Sequence, residues 1–215
     1  MPVNKEAYEQ LIADLGSHHV TLVAVSKTKS VEEIKELYDL GQKDFGENYV
    51  QELTEKQSKL PTDIRWHFIG HLQSNKVKQI APFIHLIQSV DSLKLLQEIN
   101  KQARKNNRVI DCLLQVHIAQ EETKFGLDEN ELNELLNNSI SQYQNIRVAG
   151  LMGMASLTDD MEKVRNEFRY LKTLFVTHNS QLITLSMGMS SDYFVAIEEG
   201  STMVRIGSLI FGARN

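Results

Sequence analysis

The chain has 215 residues, 41% of them hydrophobic and 24% charged, with a formal net charge of −5. That mixture suits a folded α/β domain and argues against global disorder; the dispersed charges lack the basic patch of a nucleic-acid binder, and the apolar runs are too short and interrupted to span a bilayer. The single cysteine, Cys112, excludes an internal disulfide, and the opening Met1-Pro2-Val3-Asn4-Lys5-Glu6 turns polar with no signal-peptide core, so a cytoplasmic protein is expected.

A helical segment over about 5–17 comes first. Short β-rich runs then alternate with stretches of helical periodicity. The strand candidates are Val20–Lys27, Phe45–Asn48, Trp66–Gly70, Ile84–Val90, Ile110–Ile118, Val148–Met154, Ile183–Met189 and Met203–Phe211. Helices fit between them at about 31–40, 49–59, 74–80, 92–106, 129–141, 160–178 and 192–199. Strict alternation implies a parallel sheet with right-handed crossovers. Eight units close most economically into a (β/α)8 TIM barrel, with an open doubly wound sheet as the alternative. The extra N-terminal helix favours the barrel, because it can cover the outside of strand eight beside strand one. Only three prolines occur and no Gly/Ser-rich linker, so one domain over 1–215 is expected. Cys112, inside the apolar run 110–116, reads as a small buried hydrophobe.

In such barrels the chemistry sits at the C-terminal ends of the strands. Strand one reads Val23-Ala24-Val25-Ser26-Lys27, and alternation puts Val23, Val25 and Lys27 on one face. With the valines inward, Lys27 reaches the rim as a desolvated amine suited to a Schiff base with an aldehyde; the alternative is a solvated loop lysine, like Lys29. Strand seven ends in Ser186-Met187-Gly188-Met189-Ser190-Ser191-Asp192, and strand eight carries Arg205-Ile206-Gly207-Ser208. Gly188 permits close backbone approach. The serines and Asp192 read as helix caps or as a phosphate cradle, in the region where these barrels commonly bind phosphate. An inward Arg205 needs a partner, either a ligand acceptor or a buried carboxylate. Asn48, His71 and Met152 end strands two, three and six, where they can face a ligand ring or simply fill core and loop; His67 shares a face with His71. Metal-ligand spacings, Walker and Gly-x-Gly-x-x-Gly elements and a serine nucleophile elbow are all absent.

Six segments in order carry a resemblance: Ala24-Val25-Ser26-Lys27-Thr28-Lys29, Phe45-Gly46-Glu47-Asn48-Tyr49-Val50-Gln51-Glu52, Trp66-His67-Phe68-Ile69-Gly70-His71-Leu72-Gln73, Gly150-Leu151-Met152, Ser186-Met187-Gly188-Met189-Ser190 and Arg205-Ile206-Gly207-Ser208. From about residue 5 to Gly212 the chain resembles the pyridoxal phosphate (PLP) homeostasis family, whose barrel is related to the alanine racemase N-terminal domain. The segment Glu121-Glu122-Thr123-Lys124-Phe125-Gly126 is also similar to the family, its Lys124-Phe125-Gly126 resembling a racemase-type loop.

The resemblance implies a PLP-binding barrel without enzymatic turnover of its own. It implies Lys27 as the lysine that holds PLP in an imine. Ser190, Gly207 and Ser208, with the backbone near Met187–Met189, would take the phosphate. Arg205 would lie near the pyridine nitrogen and Asn48 near the phenol and aldehyde side, with His71 and Met152 around the cofactor. The expected role is a carrier or buffer of free PLP that influences amino-acid and keto-acid balance. It would act as a monomer and pass PLP to apo-enzymes. Two rivals stand beside it. A PLP enzyme such as a racemase needs acid–base groups on both faces of the substrate, and the chain ends soon after strand eight without the second domain that supplies one of them. An aldolase-type barrel would use Lys27 without PLP and would be colourless.

Overall fold

The computed structural model describes residues 3–119, 125–178 and 182–212. Eight parallel strands close into a barrel in chain order: β1 Thr21–Val25, β2 Asp44–Glu47, β3 Arg65–Phe68, β4 Leu86–Val90, β5 Ile110–Gln115, β6 Ile146–Met152, β7 Thr184–Ser186 and β8 Met203–Ile206. Closure is made by β1 and β8, with Val23 opposite Arg205 and Ala24 opposite Ile206. The barrel expectation therefore holds and the open sheet does not.

The α-helices are α1 Lys5–Ser17, α2 Val31–Asp39, α3 Val50–Gln57, α4 Val77–Ile80, α5 Leu93–Lys105, α6 Glu129–Glu134, α7 Met161–Thr177, α8 Tyr193–Glu198 and α9 Ser208–Phe211. Their starts are written in the sequence. Ser30 with Glu33 and Asp128 with Glu131 form capping boxes on α2 and α6, while Ser92 and Asp160 cap α5 and α7. Past α6 the helix widens into a π turn over Leu135–Ser139. No helix among the described residues is long and apolar enough to cross a membrane.

The side chains separate by strand alternation. Leu22, Ala24, Phe45, Leu114, Leu151, Leu185, Val204 and Ile206 pack outward into one large core beneath the helices. Val23, Leu86, Leu113, Ala149, Met152 and Met203 form a small second cluster inside the barrel. Helix α1 buries Tyr8, Leu11 and Leu15, and the chain just before it bonds to the C-terminal turn, Asn4 N to Ile210 O at 2.9 Å. It thus packs beside β1 and β8 as expected. Cys112 is fully buried, and burial raises its thiol pKa.

Two boundaries differ from expectation. Strand one stops at Val25, because the chain folds into a turn in which Lys29 N donates to Ser26 O at 3.0 Å. Strand eight stops at Ile206, and Ser208–Phe211 is helical, with Ile210 N and Phe211 N both donating to Gly207 O. Ile210 and Phe211 are buried in this turn, so their apolar character reflects packing rather than strand.

At the N-terminal mouth of the barrel, Asp44 accepts from Arg65 Nε at 2.7 Å and pairs with His67 Nε2 at 3.0 Å. Burial opposes ionisation of Asp44, but its hydrogen bonds to Arg65 and His67 and the charge of Arg65 outweigh it and hold its pKa at about 2. A carboxylate depressed on folding stabilises above its unfolded pKa and loses that contribution as pH falls toward the folded value. Here the window runs from roughly pH 4 down to 2 and corresponds to about 2 kcal/mol. Asp44→Asn is accordingly expected to be less stable at neutral pH and to lose less stability on acidification, as urea unfolding across that window would show.

Candidate functional site

The turn after β1 is built by a buried network outside the barrel. Ser26 Oγ donates to Glu47 Oε1 at 2.6 Å. Lys56 Nζ, from α3, reaches Ser26 O at 2.7 Å, Glu47 Oε1 at 2.8 Å and Glu52 Oε1 at 2.5 Å. Glu52 Oε1 also accepts from Thr28 N at 2.5 Å. Thr28 sits at φ +66°, a strained conformation for a β-branched residue that persists only when its surroundings enforce it. Outward Ser26 and strained Thr28 together aim the side chain between them, Lys27, into the pocket. Lys29 also lines the pocket, but its amine is engaged: Nζ donates to Phe211 O at 2.9 Å and lies 3.8 Å from Glu33.

The pocket, about 340 Å³, opens at the C-terminal ends of the strands and is lined by Lys27, Asn48, Ser190, Arg205, Gly207 and Ser208 among others. Six residues singled out in the sequence thus converge from β1, β2, β7 and β8. A Cβ at Gly207 would meet Val25 O at 3.1 Å and Val25 Cβ at 3.3 Å, so a larger residue crowds strand one and the pocket floor. Ser190 Oγ lies 3.4 Å from Gly207 N, joining the two glycine/serine segments. Gly188 serves otherwise than expected. Its φ is +98°, and a Cβ there would come within 2.6 Å of Ala196 Cβ. Both facts tie it to the turn into α8, not to close ligand approach. Asp192 holds that turn by accepting from Met189 N at 2.6 Å.

Arg205 is buried, and burial lowers its pKa to about 10 while Asp192 acts to raise it. Its guanidinium donates to Ser186 Oγ at 2.6 Å and Gly153 O at 2.9 Å, so a hydroxyl and a backbone carbonyl serve where the sequence left a carboxylate open.

His71 and Met152 do not line the pocket among the described residues. Met152 is fully buried one layer down, within the barrel cluster, and Met154, two residues on along the same face, lines the pocket. His71 is exposed, bonds Asp91 through Nδ1 at 3.0 Å and stacks on Phe125 with ring centroids 4.1 Å apart. Met189 and Ser191, both within the strand-seven segment read as a phosphate cradle, also line the pocket, as does Ile69, which the sequence reading misses. Ile69 follows the period-two face of His67, a signal that could have found it. The segment 120–124, including Lys124, lies outside the described residues.

The site combines an amine, a buried guanidinium, hydroxyls and close backbone, with Asn48 Oδ1 buried and unpartnered among the described residues. That donor set fits PLP: an aldehyde for the amine, a phosphate for the serine and glycine segments, and polar ring atoms for Arg205 and Asn48. Among the described lining residues there is no carboxylate, imidazole, phenol or thiol.

The family model described as alanine racemase, N-terminal domain, matches residues 3–215. The chain is 44% identical over 207 residues to the pyridoxal phosphate homeostasis protein of Aquifex aeolicus, covering 94% of this chain and 90% of that one. It is 38% identical over 230 residues to the protein of the same name in Homo sapiens, covering 98% and 84%. PipY of Synechococcus elongatus PCC7942, solved without PLP, superposes with a TM-score of 0.91 at 36% identity, covering 96% of this chain and 99% of that one. PipY with PLP bound gives 0.86, covering 96% and 100%. Alanine racemase from Streptomyces lavendulae, 15% identical, shares the fold with a TM-score of 0.78 over 97% of this chain and 57% of that one.

Proposed function

Because the chain belongs to the alanine racemase N-terminal-domain family, and within it to the pyridoxal phosphate homeostasis proteins, we propose that it binds PLP reversibly and buffers the free cofactor. The observation that carries this reading is the convergence of Lys27, Ser190, Gly207, Ser208 and Arg205 on one pocket. PLP supplies an aldehyde that condenses reversibly with an amine. Lys27 provides that amine, forming an imine. Ser190 and Ser208 hydroxyls, with the backbone N–H groups at Gly207 and the start of α9, bind the phosphate. Arg205 faces the ring nitrogen, and Asn48 the phenol and aldehyde side. His71 and Met152 act around this set, as an outer shield and as the floor beneath it.

The protein holds PLP without turnover. A guanidinium keeps its own protons and leaves the ring nitrogen unprotonated, which makes the ring a weak electron sink. The described lining offers no carboxylate, imidazole, phenol or thiol to work opposite Lys27, and its second amine, Lys29, is bonded to Phe211 O. The chain acts as a cytoplasmic, monomeric, single-domain carrier that releases PLP to apo-enzymes.

Titration with PLP and with unphosphorylated pyridoxal tests the reading. Each charge-assisted bond to the phosphate contributes roughly 1.5–3 kcal/mol, so PLP is expected to bind at least about a hundredfold more tightly. Equal affinities would contradict the phosphate assignment. Exchange of the α-proton of L- or D-alanine in deuterium oxide at about 1 per second or faster would contradict the absence of turnover.

A further inference from the structure

A chain of buried hydrogen bonds runs through the barrel lumen from the pocket to the opposite mouth. Arg205 Nη1 lies 2.6 Å from Ser186 Oγ, which lies 2.7 Å from Gln88 Oε1. Gln88 Nε2 lies 2.9 Å from His67 Nδ1, and His67 Nε2 lies 3.0 Å from Asp44 Oδ1. The five residues are buried and come from β8, β7, β4, β3 and β2. An apolar lumen would be the simpler filling, since buried polar groups are costly unless fully paired. Packing alone does not account for this composition.

With Gln88 Oε1 toward Ser186 and Nε2 toward His67, the donors and acceptors run in one direction. A guanidinium only donates, so Ser186 Oγ accepts from Arg205 and turns its single O–H toward Gln88 Oε1. That orients the Gln88 amide with its NH2 toward His67 and Met203, the latter with Sδ at 3.2 Å. His67 Nδ1 must then accept, so the imidazole proton lies on Nε2 and is donated to the Asp44 carboxylate. Arg65 closes the far end on Asp44.

Resting on the PLP reading above, we propose that Asp44, His67, Gln88 and Ser186 are positioning residues: their one-way relay fixes the direction and donor pattern of Arg205 at the cofactor ring. The relay gives the guanidinium an acceptor without a neutralising carboxylate in direct contact at Ser186, so its charge and its remaining N–H groups stay directed at the pocket. It also makes the ring's surroundings depend on Asp44 and His67 at the other end of the barrel. The Gly153 carbonyl, a backbone acceptor, is the fixed second anchor.

Two measurements test this. In ligand-free protein, long-range ¹H–¹⁵N spectra should show His67 as the Nε2–H tautomer; the Nδ1–H tautomer would overturn the direction of the relay. In PLP-loaded protein, Gln88→Leu and His67→Phe should shift the visible absorption maximum and weaken PLP binding about tenfold. The Gln88→Leu/Arg205→Gln double variant should match Arg205→Gln alone, because both substitutions act on one unit. Ser89→Ala is the packing control. Ser89 is the next residue along β4 and fully buried, its hydroxyl has no hydrogen-bond partner among the described residues, and both readouts should stay at wild-type values. Gln88→Met and His67→Gln replace the first pair should either fail to fold. Folded relay variants with wild-type spectrum and affinity would overturn the inference and leave the PLP reading standing. A wild-type protein that binds no PLP would overturn both.

Discussion

Lys27→Ala is expected to abolish covalent retention of PLP while the barrel stays folded. The Lys27 side chain points into the pocket, above the packed layers formed by Val23 and its neighbours. Its removal deletes the amine at the pocket and leaves the packed layers below intact, so unfolding free energy should change by no more than about 1 kcal/mol. The turn itself is held by Ser26, Glu47, Glu52 and Lys56, which remain. The phosphate cradle also remains, so the variant should still bind PLP weakly and reversibly. Absorption spectra before and after dialysis check this: colour should wash out of the variant and stay with the parent protein. A variant that keeps its colour through dialysis and reduction would place the covalent link elsewhere.

Lys56→Met should have the largest effect on stability. The Glu47 side chain is fully buried and that of Lys56 is 6% exposed, and Lys56 Nζ is the cation facing Glu47 Oε1 at 2.8 Å. Removing one partner of a buried pair leaves an uncompensated charge, typically costing about 3–5 kcal/mol. Burial already pushes the Glu47 carboxyl pKa upward, with Lys56 as the main opposing influence. Without Lys56 that rise grows. A carboxyl whose folded pKa is raised favours the folded state at low pH and loses that contribution as pH climbs through the folded value. The deficit of Lys56→Met should therefore be smaller at pH 5 than at pH 8, and adding Glu47→Gln should recover much of it. Denaturant unfolding at the two pH values reads both effects. PLP binding should fall with stability, because Lys56 also holds Ser26 O beside Lys27.

Much of the site is legible in the sequence because strands have a period of two. That rule alone places Lys27 with Val23 and Val25, and Arg205 with Gly207, on inward faces. What it cannot supply is where each strand stops. The end of β1 depends on Thr28 at positive φ, held by Glu52 from α3, a contact 24 residues away. The end of β8 depends on Ile210 and Phe211 packing as a helical turn beneath α1. Met152 and Met154 show the same limit: both share a face, and only the height of the pocket floor separates them. The lumen relay leaves still less trace. Asp44, His67 and Gln88 lie on the neighbouring strands β2, β3 and β4, and Ser186 on β7 reaches Gln88 only across the lumen of the closed barrel. Of these, only His67 stands out locally, through its alternation with His71.

Reduction of the PLP-loaded protein with borohydride, followed by peptide mapping of the fixed label, tests the assignment of Lys27 most directly. One labelled peptide is expected, carrying the pyridoxyl group on Lys27. Label on Lys29 or Lys124, or no label at all, would contradict it.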